Sequence, residues 1–427
     1  MTYDETLAYL YASTPVFQFQ GAPAYKPGLD TSIALDNHLN NPHRSFRTIH
    51  VAGTNGKGTV CHTLAAILQE AGYRVGLFTS PHLTDFRERI RVNGEMIGKD
   101  YVVDFTARHR AFFEPLKPSF FELTSALAFD YFRFAQVDFA LIEVGLGGRL
   151  DSTNIITPIV SVVTSIGMDH TQFLGNTLPE IAAEKAGIIK SNVPVVVGDL
   201  ADESLYEIFE RKAREMNAPL FRAADRAPLT KAPERPLSPA QRLNERTILS
   251  VLHVLAGEHL PPLLSPTIAA GFENVTTLTG LRGRWEVISR QPFTVLDTGH
   301  NEEAWRFLPA QIEAACRDNH CKRQILLIGF SEDKDIDPIL DRMPPDACYI
   351  FTQASLRRAL PVATLAAKAR KRNLKGDIYP TVAAALQHLQ QIATKDDFIF
   401  IGGSNFIVAD ALAHLRIHKI CTEQEEI

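Results

Sequence analysis

The sequence predicts an α/β protein with two domains: a parallel-sheet domain of the phosphate-loop type (P-loop-type) with helices on both faces, then a smaller Rossmann-like α/β domain. Short apolar runs alternate with amphipathic stretches in both halves, the pattern of parallel sheets covered by helices. The length of 427 residues exceeds one ordinary hydrophobic core. A polar stretch with Gly280 and Gly283 separates the two regions, so we expect domains at 1–283 and 284–427.

The composition excludes several classes of protein. A formal net charge of −5 provides no basic surface for nucleic acid or anionic membranes. No apolar run approaches the roughly 18 residues of a transmembrane helix, and the N-terminus lacks the features of a signal peptide. The five cysteines are odd in number and scattered, which indicates reduced thiols. We expect a cytoplasmic protein that binds neither nucleic acid nor membranes, and we expect a monomer.

The first domain begins with a helical lead-in and a loop at 21–28. Its predicted strands are 47–52, 74–78, 138–144, 159–164 and 194–198. Its predicted helices run from the glycine loop to about 72 and over 120–135, 178–188, 203–217, 241–256 and 265–271. The charged segment 85–93 is by default a solvated face, or else a mobile loop beside a phosphate site. The proline-rich segment 222–240 predicts a loop or a short subdomain.

The second domain repeats the alternation on a smaller scale. Its predicted strands are 294–297, 324–329, 347–351 and 397–402, and its predicted helices are 302–317, 335–342, 361–372, 381–393 and 405–416. The first of these strands is not followed by the G-x-G-x-x-G pattern, so NAD binding is not predicted.

A glycine-rich loop, Gly53-Thr54-Asn55-Gly56-Lys57-Gly58-Thr59, follows the first predicted strand and opens a helix. Glycines let backbone amides converge on a phosphate, the helix N-terminus favours negative charge, and Lys57 adds a positive charge. The Thr59 hydroxyl is placed to bind Mg²⁺. The strict P-loop pattern is broken because Gly58 separates Lys57 from Thr59. The alternative is a glycine-rich turn with an incidental lysine, but the flanking strand and helix favour the phosphate site.

Polar residues follow the predicted strands at the edge where parallel sheets bind ligands. Thr59, Ser80 and Glu143 offer the oxygen ligands that Mg²⁺ prefers, and a carboxylate at the end of an apolar strand is costly without a partner. His170 offers a softer nitrogen, which favours a second metal site or tolerance of Mn²⁺. Alone, His170 would be interpreted as a structural histidine, and Lys185 as a lysine that reaches from an apolar helix face to solvent.

The second domain has two polar turns, Asp297-Thr298-Gly299-His300-Asn301 after its first strand and Gly402-Gly403-Ser404-Asn405 before its last helix. Polar side chains beside helix N-termini suit the binding of a carboxylate or phosphate. Lys334 is a third candidate for such a binding site. The alternative is that it belongs to a solvated cluster of charged residues.

Five further motifs accompany the loop: Thr79-Ser80-Pro81-His82-Leu83, Glu88-Arg89-Ile90, the stretch from Glu143 to Asp151, Asp169-His170 and Glu184-Lys185-Ala186-Gly187. The loop resembles that of the Mur ligase superfamily. The whole set resembles the folylpolyglutamate synthase/dihydrofolate synthase family over residues 25–415. The resemblance implies an ATP-dependent ligase that joins L-glutamate to dihydropteroate and to reduced folates through an acyl phosphate, with Mg²⁺ at two sites. It leaves a monovalent-cation requirement open.

The resemblance also implies a role for each matching residue. Lys57, Lys185, Arg284 and His300 would act in catalysis, and a carbamylated Lys185 would be a metal-binding anion. The loop residues, Asn244, Arg284 and Asp297 would bind ATP, with Asn244 near adenine in a Gln-x-x-Asn motif that starts at Gln241. Phe121, Asp151 and Ser152 would lie on the pterin side, and His300 and Ser404 would contact glutamate. Thr59, Ser80, Glu143 and His170 would be the metal ligands. Segment 85–93 would be the mobile loop over the active site.

Some positions depart from the family pattern, and some alternatives stay open. Glu302 stands where the family often has proline, at the expected first residue of a helix. Ser331 stands where the family has a histidine, so that role is not assigned. The alternatives are a single-activity dihydrofolate or folylpolyglutamate synthase, a muramyl amino-acid ligase and a nucleotide-binding regulatory module. Against the last stands the joint presence of the candidate metal and lysine residues.

Overall fold

The computed structural model describes residues 1–14, 28–225 and 238–425, with side chains to residue 415. The predicted loop at 21–28 and the proline-rich segment at 222–240 therefore lie largely outside the described residues. The chain forms two compact units. The first comprises Met1–His82 and Phe86–Leu281, and the second comprises Leu83–Asp85 and Arg282–Ile427.

The first unit is built on an eight-stranded sheet. Its strands are β1 (Arg47–Ala52), β2 (Val75–Phe78), β3 (Ile90–Val92), β4 (Glu95–Met96), β5 (Phe139–Glu143), β6 (Val160–Val163), β7 (Val195–Val197) and β8 (Leu220–Arg222). They lie in the order β4-β3-β2-β5-β1-β6-β7-β8. All neighbours are parallel except β2 with β3 and β3 with β4. The parallel centre confirms the predicted fold class.

Helices cover both faces of this sheet. They are Tyr3–Ser13, Asp30–His38, Lys57–Glu70, Lys99–Leu116, Phe120–Phe134, Thr171–Leu174, Leu178–Ala186, Tyr206–Glu215, Pro239–Leu255, Ser265–Glu273 and Val275–Thr279. Strand β5 shows why both faces are needed. Phe139 and Leu141 enter one hydrophobic cluster, whereas Ala140 and Ile142 enter another. Successive side chains of a strand point to opposite faces, so each face must be covered.

The second unit repeats this plan. Its strands are β9 (Glu286–Arg290), β10 (Phe293–Asp297), β11 (Arg323–Ile328), β12 (Cys348–Phe351), β13 (Gly376–Ile378) and β14 (Asp397–Gly402), in the order β13-β12-β11-β14-β10-β9. Only β9 runs antiparallel among these described strands. The helices are Glu302–Trp305, Leu308–Asp318, Asp337–Leu340, Val362–Arg370, Val382–Ile392 and Asn405–Glu425. Glu302 is the first residue of its helix, as predicted.

The charged segment 85–93 is not the solvated face that its composition predicts by default. Phe86–Arg89 forms a 3₁₀ helix, and Ile90–Val92 pairs with β2 as strand β3. Arg89 is 4% exposed, and its Nε donates to His82 Nδ1 at 2.8 Å. The charged composition of this segment did not indicate that Arg89 is buried, because its hydrogen-bond partner, His82, lies outside the segment.

The prediction of one helix over 302–317 is also wrong in one respect. The structure has two helices there, and the first ends at Trp305. Pro309 lies at the start of the second helix, where its missing amide is tolerated. No helix in the described part of the chain is both long enough and apolar enough to span a membrane.

Candidate active site

The glycine loop connects β1 to the helix Lys57–Glu70 at the carboxyl edge of the first sheet. Gly53 has a φ of 150°, and a Cβ atom there would lie 1.9 Å from Thr164 Oγ1. Gly56 has a φ of 85°, which is also accessible mainly to glycine. The helix begins at Lys57, so the amides of its first turn have no acceptor within the helix and point towards the loop. This is the geometry of a phosphate site.

The chain that follows β6 fixes the shape of the loop. Thr54 N donates to Ser165 O at 2.9 Å, and Asn55 N donates to Ser165 Oγ at 3.0 Å. Thr54 Oγ1 accepts from Gly167 N at 3.0 Å and donates to Gly167 O at 3.1 Å. The amides of Thr54 and Asn55 therefore hold the loop, which leaves the amides at the start of the helix as phosphate donors. The sequence placed Ser165 and Gly167 after a strand but did not predict this contact.

Two lysine side chains converge on one carbonyl of the loop. Lys57 Nζ donates to Gly53 O at 2.9 Å and to Thr54 O at 3.2 Å, and Lys185 Nζ donates to Gly53 O at 3.0 Å. Lys185 is 4% exposed, so it does not reach to solvent and that alternative is wrong. Burial, with the nearby positive charge of Lys57, lowers the pKa of Lys185 to about 7.

Glu143 brings a buried carboxylate to the same loop. It is the last residue of β5, is 4% exposed and accepts from Ser80 N at 2.9 Å. A Cβ atom on Gly58 would lie 3.7 Å from each carboxylate oxygen, so Glu143 faces the residue before Thr59. The structure thus brings Ser80, Glu143 and the start of the helix together.

His170 follows β6 and has a φ of 50°. Its backbone N–H donates to Asp169 Oδ1 at 2.8 Å, and its ring Nε2 lies 3.9 Å from the same oxygen. The described residues contain no group of three or more His, Cys, Asp or Glu side chains arranged around a metal position. Mg²⁺, however, is usually held by one or two carboxylates together with waters and phosphate oxygens. A buried Glu143 beside the hydroxyl-bearing residues Ser80 and Thr59 fits that ligand set.

The three residues expected on the pterin side lie around the loop after β5. A Cβ atom on Gly145 would lie 2.5 Å from Phe121 Cζ, so the ring of Phe121 covers that glycine. Asp151 accepts from Leu146 N at 2.8 Å and Thr153 N at 3.0 Å, and Ser152 Oγ lies 3.2 Å from Ser125 Oγ. Burial raises the pKa of Asp151, opposed by these hydrogen bonds. Asp151 therefore organises its own loop.

The helix Pro239–Leu255 places Asn244 against the phosphate loop, since a Cβ atom on Gly56 would lie 2.3 Å from Asn244 Oδ1. Gln241 has a local role, because its Oε1 accepts from Ser238 N at 2.9 Å in a capping box.

In the second unit, Asp297 and Ser404 lie near the ends of neighbouring parallel strands, with Asp297 paired to Gly402. Asp297 accepts from Trp285 N and Gly299 N, each at 2.7 Å, and burial raises its pKa against the opposing charge of Arg284. His300 Nδ1 lies 3.0 Å from Thr298 O, and a carbonyl can only accept, so Nδ1 carries a proton. Arg284 is exposed.

Ser404 lies just before the helix Asn405–Glu425 and is 2% exposed. Its Oγ accepts from Ile407 N at 3.2 Å, so it caps that helix. The predicted residues of the second unit thus gather at the carboxyl edge of β10 and β14. Lys334 follows the neighbouring strand β11.

Comparison with known proteins agrees with this geometry. The Mur ligase middle domain matches residues 51–228, and the Mur ligase glutamate ligase domain matches residues 283–405. A dihydrofolate synthase/folylpolyglutamate synthase of Bacillus subtilis is 31% identical over 92% of this chain and 95% of its own length. A probable bifunctional folylpolyglutamate synthase/dihydropteroate synthase of Haloferax volcanii is 32% identical over 96% of this chain, which spans about half, 50%, of that relative.

Solved structures give the same result. E. coli FolC in complex with DHPP and ADP matches with a TM-score of 0.84 and 28% identity, covering 98% of this chain and 99% of that one. A bifunctional folylpolyglutamate synthase/dihydrofolate synthase with Mn, AMPPNP and L-glutamate bound matches with a TM-score of 0.81 and 30% identity, covering 97% and 98%. In sequence and in fold, this chain belongs to the folylpolyglutamate synthase/dihydrofolate synthase family of the Mur ligases.

Proposed function

We propose that this chain is an ATP-dependent amide ligase that joins L-glutamate to dihydropteroate, giving dihydrofolate, and to reduced folates, giving folylpolyglutamates. The observation that carries the proposal is the phosphate loop, where Lys57, the buried Lys185 and the buried Glu143 surround one helix N-terminus. Such a site binds a nucleotide phosphate and controls the charge around it.

The reaction has two steps. A carboxylate oxygen of the pterin substrate attacks the γ-phosphorus of ATP, the bond to the bridging oxygen breaks, and ADP leaves. The amino group of glutamate then attacks the acyl phosphate, loses a proton and expels inorganic phosphate, which leaves the amide. Two anions must meet in the first step, so neutralisation of their charge is the main catalytic need.

The chain's own residues meet that need from the phosphate loop. Lys57 is held by two loop carbonyls and is positioned to turn to the β- and γ-phosphates, beside the amides of the first helical turn. Thr59, Ser80, Glu143 and His170 would hold Mg²⁺, which supplies positive charge between the two anions when bound. Arg284 and Asp297 would contact the nucleotide, and Asn244 would lie near adenine. His300 and Ser404 would hold the incoming glutamate.

We also propose that Lys185 is carbamylated. Its amine is buried and has a lowered pKa, so a neutral fraction is present near pH 7 and can add to CO₂ with release of a proton. The product is an anion, which relieves the repulsion between the two ammonium groups on Gly53 O. Carbamylation would thus exchange an unfavourable positive charge for a further oxygen ligand.

Ligands in the relatives support the substrate assignment. The E. coli structure holds ADP and DHPP, and the second solved relative holds Mn, AMPPNP and L-glutamate. The nucleotides and L-glutamate correspond to reactants that the proposal requires, and Mn corresponds to its divalent metal.

The test is phosphate release with ATP, Mg²⁺ and glutamate, compared among dihydropteroate, tetrahydrofolate and a UDP-muramyl acceptor. We expect turnover with both pterin substrates and none with the muramyl acceptor. Turnover with one pterin substrate would leave a single-activity enzyme. Absence of turnover with both, for protein that is folded and binds ATP, would overturn the assignment.

A further inference from the structure

We infer that His50 is a positioning residue, which acts through Thr153 and Asp151 to hold the loop that carries the substrate-side part of the site. The inference rests on the proposed ligase function. His50 lies in β1, three residues before Gly53, and is 0% exposed. The reaction proposed above does not use it.

The hydrogen-bond directions follow from the atoms present. Thr153 Oγ1 has one proton and lies 2.5 Å from Asp151 Oδ1, a carboxylate that can only accept, so the hydroxyl donates to Asp151. Thr153 Oγ1 is also 2.8 Å from His50 Nε2 and must therefore accept there. His50 thus carries its proton on Nε2. Burial, with a smaller effect from Lys190, lowers the pKa of His50 to about 3, which keeps the ring neutral.

Asp151 passes this constraint to the loop after β5. Its carboxylate accepts from Leu146 N at 2.8 Å and from Thr153 N at 3.0 Å, which joins the loop 145–149 to the 3₁₀ turn Ser152–Ile155. A hydroxyl held by His50 can only present its proton to Asp151, so the carboxylate has one stable orientation.

The loop 145–149 in turn contacts two other site residues. Gly145 lies under the ring of Phe121, and a Cβ atom on Gly148 would lie 3.0 Å from Lys185 O. Arg149 N donates to Glu184 O at 2.9 Å, which fixes the end of the helix that carries Lys185. A shift of this loop would therefore displace the pterin side and Lys185 together.

The cost of His50 supports a role beyond packing. Its Nδ1 is buried with no hydrogen-bond partner among the described residues. A buried polar atom without a partner costs about 1–3 kcal/mol. An apolar residue at position 50 would avoid that cost, so the donor at Nε2 is what the imidazole contributes.

The test compares His50→Leu, which removes the donor, with His50→Gln, which supplies an amide donor. We expect His50→Leu to lower kcat/KM for the pterin substrate about 10- to 100-fold, with KM for ATP unchanged, and His50→Gln to restore most of the loss. Thr153→Val should have the same effect. The double variant His50→Leu/Thr153→Val should be no worse than either single variant, because both break one chain.

Thr48→Val is the matched control, since Thr48 is 3% exposed and lies two residues earlier on the same face of β1. Thr48→Val should alter stability without lowering kcat/KM for the pterin substrate. Unchanged kinetics in His50→Leu would overturn the inference. A loss of kcat/KM that follows the fall in melting temperature would also overturn it. The same holds for a loss that His50→Gln does not restore, or for a loss in the double variant that is the sum of those in His50→Leu and Thr153→Val.

A second measurement does not depend on turnover. In protein labelled with ¹⁵N-histidine, the signals lost in His50→Gln should report a neutral ring protonated at Nε2. A ring protonated at Nδ1, or at both nitrogens at neutral pH, would overturn the chain of hydrogen bonds. If the wild type makes no product with pterin substrates, the proposed function fails, while the NMR result still tests the hydrogen bonds that join His50 to Asp151.

Discussion

Glu143 has the burial of a structural residue and the position of a metal ligand. Its carboxylate accepts from Ser80 N and faces Gly58 in the phosphate loop. We expect Glu143→Gln to lower kcat by about 10²-fold or more at saturating ATP, because the amide keeps the shape but loses the charge. The measurement is steady-state phosphate release at several Mg²⁺ concentrations.

Glu122 provides the matched control because it is also 4% exposed. Its Oε2 accepts from Ser119 N in a capping box, a role that glutamine can also fill. Glu122→Gln should therefore keep a kcat close to that of the wild type. A Glu143→Gln enzyme as active as Glu122→Gln would remove Glu143 from the site.

Lys185 makes the stability of the protein depend on pH. Its pKa is about 7 in the folded chain against an ordinary 10.5. Between these values the unfolded chain binds a proton that the folded chain has released, so the free energy of unfolding rises with pH. Below pH 7 the folded chain carries the full free-energy cost of burying the ammonium group. We expect Lys185→Met to be more stable than the wild type at pH 6, with the difference shrinking towards pH 10.

The measurement is the urea midpoint as a function of pH in buffer depleted of CO₂, so that the amine stays unmodified. Lys395→Met is the control, since Lys395 is exposed. A stability difference for Lys185→Met that is constant from pH 6 to pH 10 would contradict the buried-ammonium explanation. Activity should be lost in Lys185→Met at every pH.

At the scale of elements, the phosphate loop depends on the chain after β6. Ser165 Oγ accepts from Asn55 N at 3.0 Å and donates to Asn55 O at 3.1 Å. Ser165→Ala removes both bonds, each worth about 0.5–1.5 kcal/mol. We expect KM for ATP to rise by about 5-fold to at most about 160-fold, with a smaller change in KM for glutamate.

Initial-rate kinetics with each substrate varied in turn will check this. Ser191→Ala is the control. Ser191 is exposed, and among the contacts described its Oγ accepts a hydrogen bond only from the side-chain Nδ2 of Asn192. An ATP response in Ser165→Ala equal to that of Ser191→Ala would mean that the loop keeps its shape without the serine.

The elements that the sequence predicts well are those that local pattern determines. Strands β1 and β14 were predicted at their observed bounds, because β14 carries the continuous apolar run Phe398–Ile401 and β1 carries Ile49, Val51 and Ala52 directly before the glycine loop. The helix Lys99–Leu116 was missed although its buried residues, Val102, Phe105, Thr106 and Phe113, keep helical spacing, so its amphipathic pattern was present in the sequence. The edge strands β4, β8, β9 and β13 were also missed, as was β3 beside β4, because two to five residues carry too little pattern.

The site shows the same limit. The glycine loop could be predicted because its seven residues are contiguous, whereas the contact of His50 with Thr153 joins residues 103 positions apart. The sequence also could not show that Lys185 is buried, since its neighbours alone are compatible with an exposed amine. Contacts between distant parts of the chain decide the protonation of both residues.

At the scale of the whole molecule, each unit has its own sheet and its own hydrophobic clusters. The phosphate loop and the candidate metal residues belong to the first unit, while Arg284, Asp297, His300 and Ser404 belong to the second. We therefore expect the two chemical steps to respond to different variants. Ser404→Ala should raise KM for glutamate about tenfold, the value of one hydrogen bond to a charged group.

The same variant should leave the first step intact, because that step needs ATP and the pterin substrate but no glutamate. Trapping of the acyl phosphate with hydroxylamine in the absence of glutamate measures it directly. Thr381→Ala is the matched control, since Thr381 also caps a helix of the second unit, Val382–Ile392, by accepting from Ala384 N at 3.2 Å. It should lose about 1 kcal/mol of stability without a change in KM. If both cap variants weaken glutamate binding equally, or if Ser404→Ala also stops acyl phosphate formation, Ser404 supports the fold of the unit rather than the amino acid.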